Sequence, residues 1–471
     1  MRRTRIISTV GPATNGPDLL RALILAGTDA FRLNFSHGTR EEHAAVCVRI
    51  RSAAADVDRP IAILQDLAGP KIRIGALERP IDLTADQVVV IEFDPDYDHP
   101  VAGGRITTAF AALFTSVEPG VRLLVDEGRI ELEVLGVTSN RIEARVLTPG
   151  RLDSHKGINV PGVVLQTPAM TEKDEADLRA GIGMGVDVVG VSFVQGPDDM
   201  RRVRAVAAAA GAPDLPLVAK IEKPLAVDRV EEIIEQSDGL MVARGDLGIE
   251  MPLEVIPAVQ KRVITAARDY GVPVTVATQV LESMRSSPRP TRAEVTDAAH
   301  AVDEGADAVM LAGETAIGKY PIESVTTLDR ILREAERAPA PPAAIGHLNA
   351  DWAPHGRALC EAAVALASRA GAAAIVAVTE GGRTARLLSA LRPRARILAA
   401  TSTPAIAARL NIVWGVTPFV APSDPAHPAL NVARRLLVDR GLVAKGSVVV
   451  FVSIGTALGR SDANFVHVET L

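Results

Sequence analysis

Short apolar runs alternate along this chain with longer stretches of helical periodicity. Eight runs stand out, at residues 5–10, 30–35, 61–66, 186–193, 217–222, 240–243, 274–278 and 308–311. Most lead into a polar or Gly-rich turn and then into a segment with a 3.6-residue repeat, as over 198–210, 225–236 and 256–270. Repeated strand-then-helix units predict an α/β fold, a closed parallel (β/α)8 TIM barrel. Two stretches break the pattern. From about residue 76 to 155 the apolar positions alternate with period two, as in Ile130-Glu131-Leu132-Glu133-Val134, with turn signals at Asp126-Glu127-Gly128 and Ser139-Asn140. A small all-β insertion after the third barrel strand is expected there, hanging over the barrel mouth as a lid that closes on a substrate and excludes water. The Pro- and Ala-rich segment 338–344 reads as a linker. Beyond it, strands near 373–378, 397–400 and 447–452 alternate with helices as a separate α/β domain with a mostly parallel sheet. The expected division is 1–74 and 157–340 for the catalytic barrel, 75–156 for an inserted β-barrel lid, and 345–471 for a C-terminal α/β regulatory domain.

Active sites of such barrels lie at the carboxyl ends of the strands. The residues found there are Arg32, Asn34, Ser36, Asp66, Lys220, Glu222, Asp246 and Thr278, a polar set that packing alone would not place at the ends of hydrophobic runs. In an extended strand Lys220 and Glu222 share a face while Ile221 points away. Asp246 follows the neighbouring run. An ammonium and two carboxylates at adjacent strand ends suit Mg2+ with a phosphate or carboxylate ligand, because Mg2+ takes one or two protein carboxylates and completes its shell with substrate oxygens and water. The pattern points to phosphoryl or enolate chemistry.

Composition narrows the function classes. At 471 residues, and about 150 per domain, roughly three domains are expected. A net charge of -6 gives no basic surface for nucleic acid, and 3% aromatic residues leave few stacking platforms. Only Cys47 and Cys360 are present, far apart, which speaks against a disulfide framework and for a reducing compartment. The basic start Arg2-Arg3-Thr4-Arg5 precedes an apolar run too short for a signal peptide, and no run reaches membrane-helix length. A cytoplasmic protein without nucleic-acid or membrane partners is expected.

The motifs, taken in order, resemble the pyruvate kinase family. They are Ile7-Ser8-Thr9-Val10-Gly11-Pro12-Ala13, Arg32-Leu33-Asn34-Phe35-Ser36-His37-Gly38, Asp66-Leu67-Ala68-Gly69-Pro70-Lys71-Ile72-Arg73, Lys156-Gly157-Ile158-Asn159, Lys220-Ile221-Glu222, Met241-Val242-Ala243-Arg244-Gly245-Asp246-Leu247-Gly248, Ala277-Thr278-Gln279 and Pro290-Thr291-Arg292-Ala293-Glu294. The resemblance implies transfer of the phosphoryl group of phosphoenolpyruvate to ADP, giving pyruvate and ATP. It implies Glu222 and Asp246 as ligands of Mg2+, with Mn2+ as the alternative. Lys220 and Arg32 would meet the migrating phosphoryl group. Ala243, Arg244, Gly245, Asp246 and Thr278 would bind substrate, with the backbone around Gly245 and the Thr278 hydroxyl on its carboxylate. The nucleotide side would be Asn34, Ser36, His37, Arg73 and Lys156. The donor of the proton to the enolate stays open, with Thr278 acting through water as one route. A homotetramer is implied by family analogy.

The resemblance also departs from the family at one telling place. Many members hold K+ at positions matching Asn34, Ser36, Asp66 and the backbone of Leu67. This chain carries Lys71 where potassium-dependent relatives carry Glu. A tethered ammonium supplies the monovalent charge itself, so K+ is expected not to be required. In the C-terminal domain Thr379, Gly381, Gly382, Arg383 and Thr384 follow a strand and open a helix, resembling the family's loop for a phosphorylated allosteric effector. His300 and Ala312 replace the usual Asn and Ser of two further motifs and lie outside the catalytic set; a lone His300 in a helical pattern reads as a hydrogen-bonded structural residue. Three rival readings are a non-catalytic relative, a Mg2+-enolate lyase on the same barrel, and a P-loop nucleotidase at Gly313-Glu314-Thr315-Ala316-Ile317-Gly318-Lys319-Tyr320. In the last, Tyr320 stands where the metal-binding hydroxyl belongs.

Overall fold

Eight strands close into a barrel in the order Arg5–Thr9, Ala308–Leu311, Val274–Ala277, Gly239–Ala243, Leu217–Ile221, Val188–Val191, Ala62–Asp66 and Ala30–Asn34. Every neighbouring pair is parallel. The computed structural model describes residues 2–101, 105–163, 168–338, 346–347, 354–422, 429–455 and 464–471. The barrel interior is filled by side chains of moderate size, among them Ile7, Leu64, Val188, Met241 and Met310. Outward-facing residues such as Ile6, Phe31, Ile63, Val189, Leu240 and Val276 pack against the surrounding helices in a larger core. This double burial explains why the strands read as near-continuous apolar runs.

Helix starts follow local chemistry. Thr39, Thr171 and Thr291 each accept the amide of the residue three positions on, and Glu42, Asp174 and Glu294 bond back, giving reciprocal capping boxes. Two elements depart from the periodicity reading. The helix expected over 225–236 is two short helices, Pro224–Asp228 and Val230–Ile234, broken at Arg229. The fourth strand is Val188–Val191, shorter than the apolar run 186–193, because Asp187 turns back to Arg51 and Phe193 takes a left-handed φ of 57°.

The insertion leaves the barrel after Ala62–Asp66, at the carboxyl end. Its strands form a six-stranded sheet and a two-stranded one, Ile81–Leu83 with Gly150–Leu152. The six-stranded sheet includes Arg122–Val125, Ile130–Thr138 and Arg141–Thr148, whose alternating burial matches the period-two sequence. One turn of helix, Leu113–Ser116, interrupts the expected all-β character, since Leu113 and Phe114 are needed to fill the insertion's own core. That core runs from Ile72 to Val160.

The C-terminal sheet has the order Val416–Val420, Arg396–Thr401, Ala374–Val378, Val448–Ser453, Phe465–Thr470. All pairs are parallel except the last. Apart from Ala338, the expected linker 338–344 lies outside the described residues. This sheet's loops dock on the barrel's amino-terminal face. Arg5 donates to the Val413 carbonyl at 2.9 Å, Arg392 pairs with Asp307 at 2.9 Å, and the guanidinium groups of Arg3 and Arg392 lie 5.2 and 4.2 Å from the centre of the Trp414 ring. The opposite, carboxyl-end face stays open to the insertion. No helix among the described residues is long and apolar enough to cross a membrane.

Candidate active site

Lys220 is the last residue but one of its strand, and it stands at the centre of the carboxyl-end cluster. Its ammonium lies 2.7 Å from Glu222 Oε1 and 3.2 Å from Asp66 Oδ1, and donates to Ser192 Oγ at 2.7 Å. Arg32 reaches the other oxygen of Asp66, with Nε at 2.7 Å, and touches Thr9 Oγ1 at 3.3 Å. The second oxygen of Glu222 accepts the Phe193 amide at 2.7 Å. Gly69 makes the Phe193 turn feasible from the other side, because a Cβ there would sit 2.5 Å from the Phe193 ring.

The charges do not balance. Arg32 and Lys220 face three carboxylates, Asp66, Glu222 and Asp246. Burial opposes the charge on Lys220, but Asp66, Glu222 and Asp246 together outweigh it and raise its pKa. Burial likewise opposes ionisation of Asp66, and there Lys220 and Arg32 win, holding its pKa low. Glu222 goes the other way. Burial raises its pKa, Lys220 offsets part of this, and the negative charge of Asp246 adds to the rise. Two carboxylates repelling one another beside a single ammonium are a ready seat for a divalent cation, which would remove that repulsion. Among the described residues no group of three or more His, Cys, Asp or Glu side chains is placed to hold a metal alone. A two-carboxylate site that borrows substrate oxygens fits Mg2+, which keeps open positions for them.

Thr278 and Gly245 join two further strand ends. The Gly245 amide donates to Thr278 Oγ1 at 2.7 Å, and that hydroxyl donates to the Ala277 carbonyl at 2.6 Å. The Gly245 amide, expected to face a substrate carboxylate, is therefore engaged within the protein. A Cβ at Gly245 would press to 3.3 Å from the Thr278 hydroxyl, so the loop would have to give by a few tenths of an ångström. Ala243 ends its strand fully packed. The Arg244 side chain has a structural place in the same segment. Its guanidinium turns away to pair with both oxygens of Asp297, at 2.7 and 2.6 Å, and donates to the carbonyls of Thr278 and Gln279 at 2.9 and 3.2 Å. Both of those residues have left-handed φ, 69° and 51°. Arg244 thus braces a strained loop.

The nucleotide-side set gathers at the neck of the insertion. Arg73 bridges to Gly157 and donates to the His155 carbonyl at 3.0 Å, so Arg73 and Lys156 lie on adjacent antiparallel segments. Lys156 is tied down to Asp126 at 2.8 Å. His37 lies within reach of the same positive field: burial first, then Arg73, Lys71 and Arg32, depress its pKa. Asn34 Oδ1 accepts the Ser36 amide at 3.1 Å. Leu67 offers its carbonyl to Ser192 Oγ at 2.7 Å. Of the positions matched to K+, Asp66 is thus already saturated by Arg32 and Lys220, while Lys71 is exposed and makes no ion pair among the described residues.

Several participants escaped the sequence reading. Ser192 bridges Lys220 and the Leu67 carbonyl, and its signal was its place as the first polar residue after Val188–Val191. Thr9, at the end of the first strand, had the same signal. Asp297 gave none, sitting mid-helix in Arg292–Glu304. In the C-terminal loop Gly382 adopts a left-handed φ of 83° and donates its amide to Thr379 Oγ1 at 3.0 Å, while Gly381 and Arg383 are exposed. Thr384, expected to offer its hydroxyl, is buried. The phosphate-loop reading of 313–320 fails because Gly313–Ala316 is itself helical and the Glu314 carboxylate caps the Leu281 and Ala312 amides. His300 pairs with Glu304 at 3.1 Å along its own helix.

Family models describe the same architecture. Residues 1–325 match the model described as "Pyruvate kinase, barrel domain" and 357–469 the one described as "Pyruvate kinase, alpha/beta domain". A pyruvate kinase of Agrobacterium vitis is 42% identical over 462 residues, covering 96% of this chain and 95% of the relative. One from Mycobacterium intracellulare is 38% identical over 479 residues, covering 100% and 98%. The crystal structure of a pyruvate kinase from Cryptosporidium parvum superposes with a TM-score of 0.88 at 33% identity, covering 100% of this chain and 96% of that one.

Proposed function

The chain belongs to the pyruvate kinase family, and from that membership we propose how its barrel mouth transfers the phosphoryl group of phosphoenolpyruvate to ADP, giving pyruvate and ATP. The observation that carries the reading is Lys220, held 2.7 Å from Glu222 and 3.2 Å from Asp66 with Asp246 close enough to raise its pKa further. An ammonium kept charged in a buried cluster is suited to the negative charge of a phosphoryl group in flight. Phosphoryl transfer needs positioning and charge neutralisation more than covalent help.

Lys220 and Arg32 take the phosphoryl oxygens, Arg32 through its planar fork of donors. Glu222 and Asp246 would hold Mg2+, with Mn2+ as the alternative. When bound there, the cation would supply Lewis-acid polarisation of substrate oxygens. Thr278 and the backbone at Gly245 orient the carboxylate of phosphoenolpyruvate, the Gly245 amide exchanging its bond to the Thr278 hydroxyl for the carboxylate when substrate enters, with Arg244 bracing the loop from behind. Arg73, Lys156, His37, Asn34 and Ser36 serve ADP from the neck of the insertion, which closes as a lid and excludes water. The barrel segments 1–74 and 157–340 are catalytic, 75–156 forms the lid, and 345–471 is regulatory. Lys71 supplies the monovalent charge, so K+ is not required. Thr379, Gly381, Gly382, Arg383 and Thr384 form the seat of a phosphorylated effector, with the hydroxyl of Thr384 acting only if the loop opens. The working form is a cytosolic homotetramer.

A lactate dehydrogenase-coupled assay tests the reading. Pyruvate appears only when phosphoenolpyruvate, ADP and Mg2+ are all present. Pyruvate formation independent of ADP would replace the kinase reading with a lyase or hydrolase.

A further inference from the structure

A second buried ion pair lies beside the reacting set and belongs to none of its roles. Lys223 Nζ is 3.0 Å from Glu250 Oε1, and the two side chains are only 8% and 3% exposed. Asn159 Nδ2 donates to the same oxygen at 3.4 Å. The three residues come from three elements. Asn159 ends the two-residue strand Ile158–Asn159, which pairs with Arg122–Val125 and so forms the insertion's returning edge. Lys223 follows Glu222 directly. Glu250 ends the helix Arg244–Glu250, one turn beyond Asp246.

The Lys223 ammonium also lies 5.8 Å from the centre of the Phe193 ring, a cation–π distance. Phe193 is the residue whose amide holds Glu222 at 2.7 Å. One pair therefore touches the insertion through Asn159, the Glu222 carboxylate through Phe193, and the Asp246 helix through Glu250. A buried pair gains little net stability over an apolar replacement, whereas its geometry is demanding. Its retention here makes sense as a device that fixes three elements at one angle.

We propose that Lys223, Glu250 and Asn159 are positioning residues that couple the seating of the insertion to the spacing of Glu222 and Asp246, and hence to the affinity of the divalent-cation site. The inference rests on the reading of Glu222 and Asp246 as cation ligands. Partners one shell out from a metal set ligand orientation, and their loss commonly weakens binding.

The test is calorimetric titration of the full chain with Mn2+ alone and with Mn2+ plus ADP, which needs no turnover. Lys223→Met weakens Mn2+ binding roughly tenfold and Asn159→Ala about threefold, while Lys223→Arg restores the native affinity. The KM for ADP rises in both weakened variants with kcat changed less. Hydrogen exchange at 156–160 speeds up in Asn159→Ala. Should Lys223→Met fail to fold, Asn159→Ala decides, since its backbone pairing is kept. Native Mn2+ affinity in the folded variants overturns the coupling and leaves the cation site standing. Absence of Mn2+ binding by the unsubstituted protein, or binding that Glu222→Gln leaves unchanged, overturns both.

Discussion

The Thr278 hydroxyl and the Gly245 amide, from strand ends 33 residues apart in sequence, meet in a hydrogen bond of 2.7 Å. The same hydroxyl bonds the Ala277 carbonyl at 2.6 Å, so one oxygen both accepts and donates and fixes two loops at once. Thr278→Ser keeps this and retains most activity. Thr278→Ala removes it and lowers kcat by about 10²-fold, the usual cost of losing one oriented polar group at a reacting centre. Steady-state kinetics of the two variants, compared side by side, check it.

Gly245→Ala reports on the same contact by sterics. The added Cβ meets the Thr278 hydroxyl at 3.3 Å and its Cβ at 3.5 Å, tight enough to shift the loop without unfolding it. The KM for phosphoenolpyruvate is expected to rise by roughly tenfold, and the melting temperature to change little, because misplacement by a fraction of an ångström costs orientation rather than fold.

Potassium dependence follows from Lys71. Turnover in tetramethylammonium buffer is expected to be unchanged by KCl. Lys71→Glu is expected to drop turnover roughly tenfold in that buffer and to regain it on adding KCl, since a carboxylate there favours an added cation. A native enzyme that is silent without K+ would refute the role of Lys71.

The two thiols give a pH prediction. Burial pushes Cys47 up to about 11 and Cys360 up to about 12, from an ordinary 9.0. A raised pKa means the folded state binds the proton more tightly than the unfolded chain. Stability from these groups is therefore full below pH 9.0 and is lost as pH climbs toward about 11 for Cys47 and about 12 for Cys360. At about pH 8 neither thiol is expected to react with a disulfide reagent until denaturant is added, because only exposed thiolate attacks.

The barrel was legible because its strands are buried on both faces, so each apolar run announced itself. Seven of the eight runs match the observed strands to within a residue at each end, for instance 308–311 against Ala308–Leu311. The run 186–193 overshoots, since Asp187 and Ser192 are buried polar residues that the run absorbs. Polar residues at strand ends were legible for the same reason, and Lys220, Glu222 and Asp66 do meet. What sequence could not give was side-chain direction. Arg244 sits in the motif beside Asp246 yet its long side chain finds Asp297, 53 residues on. Likewise Arg3, Trp414 and Arg392 are brought together only by docking of the C-terminal sheet, a contact with no local periodicity to announce it.

The central claim is that the Lys220 ammonium neutralises a migrating phosphoryl group beside two cation-binding carboxylates, and Lys220→Met tests it most directly. Removing the ammonium leaves Asp66 and Glu222 short of a buried partner, and a loss of stability of about 3 kcal/mol is expected with it, so the measurement is made well below the variant's own melting temperature. Rapid-quench measurement of ATP formed from phosphoenolpyruvate and ADP should show a fall of about 10³-fold, with phosphoenolpyruvate still binding within tenfold of native affinity. A folded Lys220→Met enzyme that forms ATP at more than about a tenth of the native rate would contradict the account.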